Sequence, residues 1–133
     1  ERTRNLTMKI AISANSPHQD ARFEPRFGRC PYFIFLDTAT QDRHAEPNPA
    51  AQDRGGAGTR AAQFLSNQGV EAVISGRFGP NAYTALEAAN IKMYQAKGGS
   101  MESIMEDFQA EELDQVTSSS GTGRGRGRGR RRR

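Results

Sequence analysis

Three glycine-rich turns in this sequence each come directly before a segment in which apolar residues recur with helical spacing. The turns are GGAG (55–58), GRFG (76–79) and GG (98–99). Strand patterns occupy 9–14, 31–37, 70–75 and 91–96, and a weaker one, interrupted by proline, occupies 43–48. The resulting order, β-β-β-α-β-α-β-α, predicts an α/β domain with a five-stranded mixed sheet flanked by three helices.

Strand direction places all three turns at one edge of that sheet. If the first strand runs upward, the second runs downward, and right-handed crossovers make the other three run upward. Every helix then begins at the upper edge, and the long polar loop at 15–29 lies at the same edge. We therefore expect any binding site to lie there.

The chain owes its positive charge to its last residues. It carries 19 Lys+Arg and 15 Asp+Glu, a net charge of +4. Seven of the arginines follow Ser118, so the remaining 12 basic and 15 acidic side chains give residues 1–117 a net charge of −3. An acidic domain is a poor general binder of polyanions, so an anion would have to be held locally. The Arg/Gly tail leaves open an alternative function, sequence-independent nucleic-acid binding.

Composition divides the chain into a flexible extension (1–7), an α/β domain (8–113) and a disordered Ser/Gly/Arg-rich tail (114–133). No apolar run approaches the roughly 18–20 residues of a membrane span, so no membrane association is expected. A single cysteine, Cys30, excludes an intrachain disulfide. These features indicate a cytoplasmic protein with one small core, and we expect it to be a monomer.

The predicted upper edge has the chemistry of an anion site. Helix N-termini present unpaired N–H groups and the positive end of the helix dipole, glycine allows close approach of a ligand, and arginine adds fixed charge. Ordinary turn chemistry with solvated arginines is the alternative interpretation. The candidate binding residues are Arg22, Arg26, Arg29, Arg54, Gly56, Gly58, Arg77, Phe78, Gly79, Asn81, Gly98 and Gly99.

Residues that could ligate a metal directly are scarce. Iron–sulfur clusters normally take three or four cysteine ligands, so this chain alone cannot build such a site. Cys30 could supply one soft thiolate to copper or iron, or it could be a small buried residue. His18, in the upper loop, is the other candidate ligand. A two-metal nuclease site needs clustered carboxylates, and the first strand, KIAISA, contains none.

Three blocks of the sequence closely resemble the dinitrogenase iron–molybdenum cofactor biosynthesis family. They are RFGRCPYFIFLD (26–37), GGAGTRAAQFLSNQGVEAVISGRFGPNAYTALEAANIKMY (55–94) and KGGSMESI (97–104). That family includes NifX-like cofactor carriers, the C-terminal domain of NifB, and the orange protein with its molybdenum–copper sulfide cluster.

The resemblance implies a ribonuclease-H-like fold and a non-enzymatic carrier or storage role. The expected cargo is an anionic molybdenum-containing metal–sulfide cluster, of the molybdenum–copper or iron–molybdenum type, and no nucleotide. Cluster donor and acceptor proteins are the expected partners. Many members of the family have a histidine near the places of Arg26 and Arg54, where this chain has arginine. That difference favours holding the cargo by charge rather than by histidine ligation.

Overall fold

A mixed β-sheet organises the computed structural model, which describes residues 8–18, 21–53 and 55–117. Its strands are β1 (Lys9–Ala14), β2 (Tyr32–Asp37), β3 (Arg43–Pro47), β4 (Ala72–Ser75), β5 (Lys92–Gln95) and β6 (Asp114–Gln115), and its helices are α1 (Ala57–Asn67), α2 (Pro80–Ala88) and α3 (Met101–Gln109). The spatial order is β3-β2-β1-β4-β5-β6. Strands β1, β4 and β5 are parallel to one another, whereas β2 is antiparallel to both β1 and β3. The predicted α/β class, mixed sheet and three helices are confirmed.

The strand count differs from the prediction, because the described residues form six strands and not five. The additional strand, β6, pairs antiparallel with β5 and falls in the segment that composition assigned to the tail. Just after it, the Val116 amide donates to the Met93 carbonyl at 2.8 Å, and the Tyr83 hydroxyl donates to the Thr117 carbonyl at 2.7 Å. Val116 and the Tyr83 side chain on α2 thus hold residues 114–117 against the domain, although the composition of that segment is mostly polar. Residues 1–7 and 118–133 lie outside the described residues.

Side-chain alternation along the strands divides the core between the two faces of the sheet. Ile10 and Ile12 of β1 pack with α3, whereas Ala11 between them belongs to the cluster formed with α1 and α2. Strand β2 alternates in the same way, with Phe33 and Phe35 on the α1/α2 face. Helix α3 is therefore separated by the sheet from the other two helices. None of the helices in the described part of the chain has the length and apolarity that crossing a bilayer requires.

We expect the protein to fold without any metal, because its stability comes from these two apolar clusters rather than from ligands. After exhaustive chelation, far-ultraviolet circular dichroism is expected to be unchanged and thermal unfolding to stay cooperative. A large loss of helical signal on chelation, recovered when metal is added back, would contradict this expectation.

Candidate anion-binding cleft

A loop of residues 21–27, here called the crossing loop, runs over the carboxyl ends of β1 and β4. The Pro25 carbonyl accepts hydrogen bonds from the amides of Gly76 (3.0 Å) and Arg77 (2.8 Å) and from the Ser75 hydroxyl (3.1 Å). The fully buried Ser13 lies beside it, with its hydroxyl oxygen 2.8 Å from that of Ser75. The loop thus supplies hydrogen-bond partners to the polar groups at the ends of both strands, and these bonds hold the loop over the carboxyl ends of the strands.

A cleft of about 310 Å³ opens where the crossing loop meets the starts of α1 and α2. Its size is in the range of small-ligand sites. Most of its lining residues are arginine, glycine or alanine. The lining residues are Arg26, Phe27, Gly28, Arg29, Ala57, Gly58, Arg77, Gly79, Pro80, Asn81 and Ala82.

Two glycines allow the three segments around the cleft to touch. A Cβ built on Gly58 would lie only 2.8 Å from the Cβ of Ala82, and one built on Gly28 would lie 3.0 Å from the backbone nitrogen of Gly58. Real Cβ atoms essentially never approach as closely as at Gly58, and the contact at Gly28 would be tighter than most and would push back the backbone of Gly58. The first turns of α1 and α2 are consequently brought side by side.

The helix N-termini at the cleft have no side-chain caps. Gly56 and Gly79 are the N-cap residues of α1 and α2; within the described part of the chain neither helix has a side-chain cap hydrogen bond, and neither first turn has an acidic residue. Helix α3 differs, because the Ser100 hydroxyl accepts from the Ser103 amide at 3.0 Å and Glu102 lies in its first turn. The amide groups and dipole ends of α1 and α2 are therefore available to an anion, whereas in α3 the Ser103 amide is already capped and an acidic side chain lies at the positive end of the dipole.

The three arginines that line the cleft differ in their hydrogen-bond partners. The exposed Arg77 forms no side-chain hydrogen bond or ion pair with residues 8–18, 21–53 or 55–117. Arg26 donates from Nε to a carboxylate oxygen of Glu24 at 2.9 Å. Arg29 donates to the carbonyl oxygens of Ala51, at 3.4 Å, and Asp53, and so fastens the segment before α1. Arg77 is thus the arginine best placed to neutralise a bound anion.

Glu24 is a residue that the sequence analysis did not single out. Its carboxylate accepts from both the Nε and the backbone amide of Arg26, and the hydrogen bond from the Arg26 side chain holds the pKa of Glu24 below its usual value. The closeness of Glu24 and Arg26 in FEPR was the available signal, since a carboxylate within reach of an arginine accepts a strong, charge-assisted hydrogen bond from it.

The family model described as dinitrogenase iron-molybdenum cofactor matches residues 8–111, most of the chain. The chain belongs to this family. An uncharacterised protein of Methanocaldococcus jannaschii is 30% identical over 110 residues, covering 80% of this chain and 90% of that protein.

Two solved structures of similar proteins agree with the family assignment. The apo form of the orange protein from Desulfovibrio gigas is 32% identical, with a TM-score of 0.80, over 86% of this chain and 97% of that one. A Thermotoga protein named for NifB is 28% identical, with a TM-score of 0.73, over 90% of this chain and 99% of that one. Both similarities extend over nearly the whole of the compared proteins.

In this family member, the structure brings about half of the predicted site residues together. Arg26, Arg29, Gly58, Arg77, Gly79 and Asn81 all line the cleft. Gly56 is the N-cap of α1 beside it, and Phe78 is buried behind it, where its ring lies 5.5 Å from that of Phe27.

The other predicted residues do not line this cleft. Arg22 pairs through its backbone with Ser100, and Gly98 and Gly99 precede α3. Because α3 packs on the opposite face of the sheet from α1 and α2, these residues lie outside this cleft, and a role for them in binding stays a prediction. His18 is exposed and is not a lining residue, and Arg54 lies outside the described residues.

Cys30 is placed in the core rather than on the cleft surface. Its thiol is fully buried and donates to the Phe27 carbonyl at 3.2 Å, and burial raises the pKa of Cys30 to about 12. Within residues 8–18, 21–53 and 55–117, no group of three or more His, Cys, Asp and Glu side chains is arranged to hold a metal ion. Direct metal ligation by the described side chains is therefore not supported by their arrangement.

Native Cys30 is expected to react with a disulfide thiol reagent at pH 8 roughly a hundredfold or more slowly than in urea-unfolded protein, because burial keeps it inaccessible and protonated. Absorbance of the released thiolate measures both rates. Rapid, stoichiometric modification of the folded protein would show that the thiol reaches the cleft.

Replacing Gly58 with alanine is expected to destabilise the fold by about 1–2 kcal/mol. Overpacking against Ala82 costs roughly 1–3 kcal/mol, and the better helix propensity of alanine returns up to about 1 kcal/mol. Urea unfolding measures the change. Gly55→Ala is the matched control, since a Cβ there meets nothing within 4 Å, and a change within about 0.5 kcal/mol is expected. Equal effects at the two positions would contradict the close approach of α1 and α2.

Proposed function

We propose that this chain is a non-enzymatic carrier or storage protein for an anionic, molybdenum-containing metal–sulfide cluster, held non-covalently in the cleft. The observation that carries the proposal is the meeting of two uncapped helix N-termini with Arg77 around one small cavity. Membership of the dinitrogenase iron-molybdenum cofactor family and similarity to the orange protein support a metal–sulfide cargo. The strand order supports our interpretation of the fold as ribonuclease-H-like.

The net negative charge of residues 1–117 means that this part of the chain can bind an anion only through a local site. Residues 1–117 carry more acidic than basic side chains, so their overall field does not attract anions. The lining residues include three arginines and no acid among those the structure describes. An anion attracted to this domain would thus find its favourable interactions in the cleft.

The donors around the cleft suit a cluster that brings its own sulfides. Backbone amides and guanidinium groups donate hydrogen bonds, and sulfide ligands on the surface of a multiply charged cluster accept them. We propose that Arg26, Arg29, Arg77 and Asn81, with the first-turn amides of α1 and α2, hold the cargo. Neither Cys30 nor His18 is needed as a ligand, since a preassembled cluster already has its metal coordination filled.

A carrier role also accounts for what the lining residues lack. Among the described lining residues, no carboxylate, histidine, thiol or hydroxyl is present to act as a general base or nucleophile. Ala57, Pro80 and Ala82 add apolar atoms to the lining of the cleft. Such a cleft can bind and release an anion, and we propose that it receives the cluster from a donor protein and passes it to an acceptor.

Arg77→Ala is expected to weaken binding of a synthetic molybdenum–copper sulfide cluster by roughly ten- to a hundredfold, the loss of one or two charge-assisted hydrogen bonds. Visible absorbance during titration of the apo protein measures the dissociation constant. Raised salt is expected to weaken binding as well, because much of the attraction is electrostatic.

Two controls make the test specific. Arg43→Ala removes the same charge from an arginine that pairs with Glu102 at 2.8 Å outside the cleft, and affinity is expected to change by less than about twofold. Deleting residues 118–133 is expected to leave affinity similarly unchanged. If Cys30→Ser abolishes binding while Arg77→Ala binds normally, a thiolate anchor replaces the proposed mechanism. Loss of binding on deletion would instead move the site to the arginine-rich segment.

A further inference from the structure

Glu24 lies directly behind one of the cleft arginines. One of its carboxylate oxygens accepts from the Nε of Arg26 at 2.9 Å and from the backbone amide of Arg26 at 3.1 Å. The Glu24 side chain is only 15% exposed and does not line the cleft, whereas the Arg26 side chain is 56% exposed and does. A carboxylate is thus held beside the anion-binding surface without facing the cavity itself.

Hydrogen bonds fix the backbone on both sides of Glu24. The Glu24 amide donates to the Ser13 carbonyl at 3.1 Å, and the Glu24 carbonyl accepts from the buried Ser13 hydroxyl. The next residue, Pro25, is bound to the end of β4. Because the backbone is anchored on both sides of the acid, Glu24 stays beside the cleft when a ligand binds to Arg26, and its carboxylate stays within reach of that arginine.

This pairing makes Arg26 and Arg77, two of the exposed cleft arginines, unequal. Within the described residues, Arg77 presents its charge without a hydrogen-bonded counter-ion, whereas Arg26 shares its charge with Glu24. The hydrogen bond from Arg26 lowers the pKa of Glu24 more than burial raises it, and the charge of Arg77 lowers it further, so the carboxylate is ionised at neutral pH. A ligand anion therefore meets a partly neutralised Arg26 and a fixed negative charge behind it.

We propose that Glu24 is a resident counter-anion that competes with the cargo for Arg26, and thereby limits the affinity of the cleft so that bound cargo can be released. This inference rests on the proposed function, since it assumes an anionic ligand in the same cleft. It assigns Glu24 a positioning and affinity-setting role rather than direct contact with the cargo. A carrier needs such a limit, because an anion held by every available donor would leave slowly.

Glu24→Gln tests the role of the charge with little change in shape. The glutamine side-chain oxygen still accepts from Arg26, so the arginine keeps its anchor while the negative charge is removed. Affinity for tetrathiomolybdate, a coloured dianion, is expected to rise roughly tenfold at low salt, and the gain is expected to shrink as salt is added. Glu102→Gln is the matched control, because Glu102 also pairs with an arginine, at 2.8 Å from Arg43, but lies outside the cleft.

A double-mutant cycle tests whether Glu24 acts through Arg26. In the otherwise unchanged protein, Arg26→Ala is expected to cost less affinity than Arg77→Ala, since Glu24 already offsets part of the Arg26 charge. In the Glu24→Gln background, the cost of Arg26→Ala is expected to increase severalfold and approach that of Arg77→Ala. A purely structural role for Glu24 would lower the affinity of the single variant and give no such interaction.

The outcomes separate this inference from the function on which it rests. If the unchanged protein binds tetrathiomolybdate and Glu24→Gln binds it no more tightly, Glu24 does not limit affinity and the inference is wrong. An equal gain from Glu102→Gln would also overturn it, by assigning the effect to net charge alone. If neither tetrathiomolybdate nor the molybdenum–copper sulfide cluster binds to any variant, the proposed function itself fails. Circular dichroism of each variant excludes unfolding as the cause.

Discussion

The attachment of Pro25 to the end of β4 is the interaction on which the cleft depends. Its carbonyl oxygen takes three donors, the amides of Gly76 and Arg77 and the Ser75 hydroxyl. Glycine is required at 76, because a Cβ there would lie 2.6 Å from the Cβ of Pro25. This one contact fixes the crossing loop, and with it Arg26 and Gly28, against the starts of α1 and α2. Without it, the arginines and the helix ends would not share a cavity.

Much of this arrangement follows from the sequence. The strand directions and the right-handed crossovers predict that every helix begins at one edge, and the positions of Gly58, Arg77 and Gly79 near that edge follow directly. The nearly continuous apolar runs in β1 and β2 are typical of strands that are buried on both faces. Chain direction, however, says only at which end a helix begins and not on which face it packs. Gly98 and Gly99 were therefore assigned to the same pocket as Gly58, although α3 packs on the other face.

Other features depend on contacts between parts of the chain that are distant in sequence. The short strand β6 forms because Val116 and Thr117 find partners at Met93 and Tyr83, and no local propensity indicates that pairing. The burial of Cys30 likewise depends on Phe27 and Asn48 folding over it. The sequence predicts which arginines lie near the cleft, but it does not predict which of them are already paired. Pairing depends on whether a carboxylate such as Glu24 lies within hydrogen-bonding distance in the folded protein.

The missing caps on α1 and α2 have a consequence for how a loaded carrier would differ from an empty one. A capping side chain stabilises a helix end by about 0.5–2 kcal/mol, and in the empty protein none of the side chains that the structure describes makes that contribution at these two ends. In the proposed function, the bound anion supplies it and tightens both first turns together. An anion in the cavity would therefore also make the first turns of α1 and α2, which are partly exposed, more rigid. A partner protein could distinguish full from empty carriers at that surface without touching the cargo.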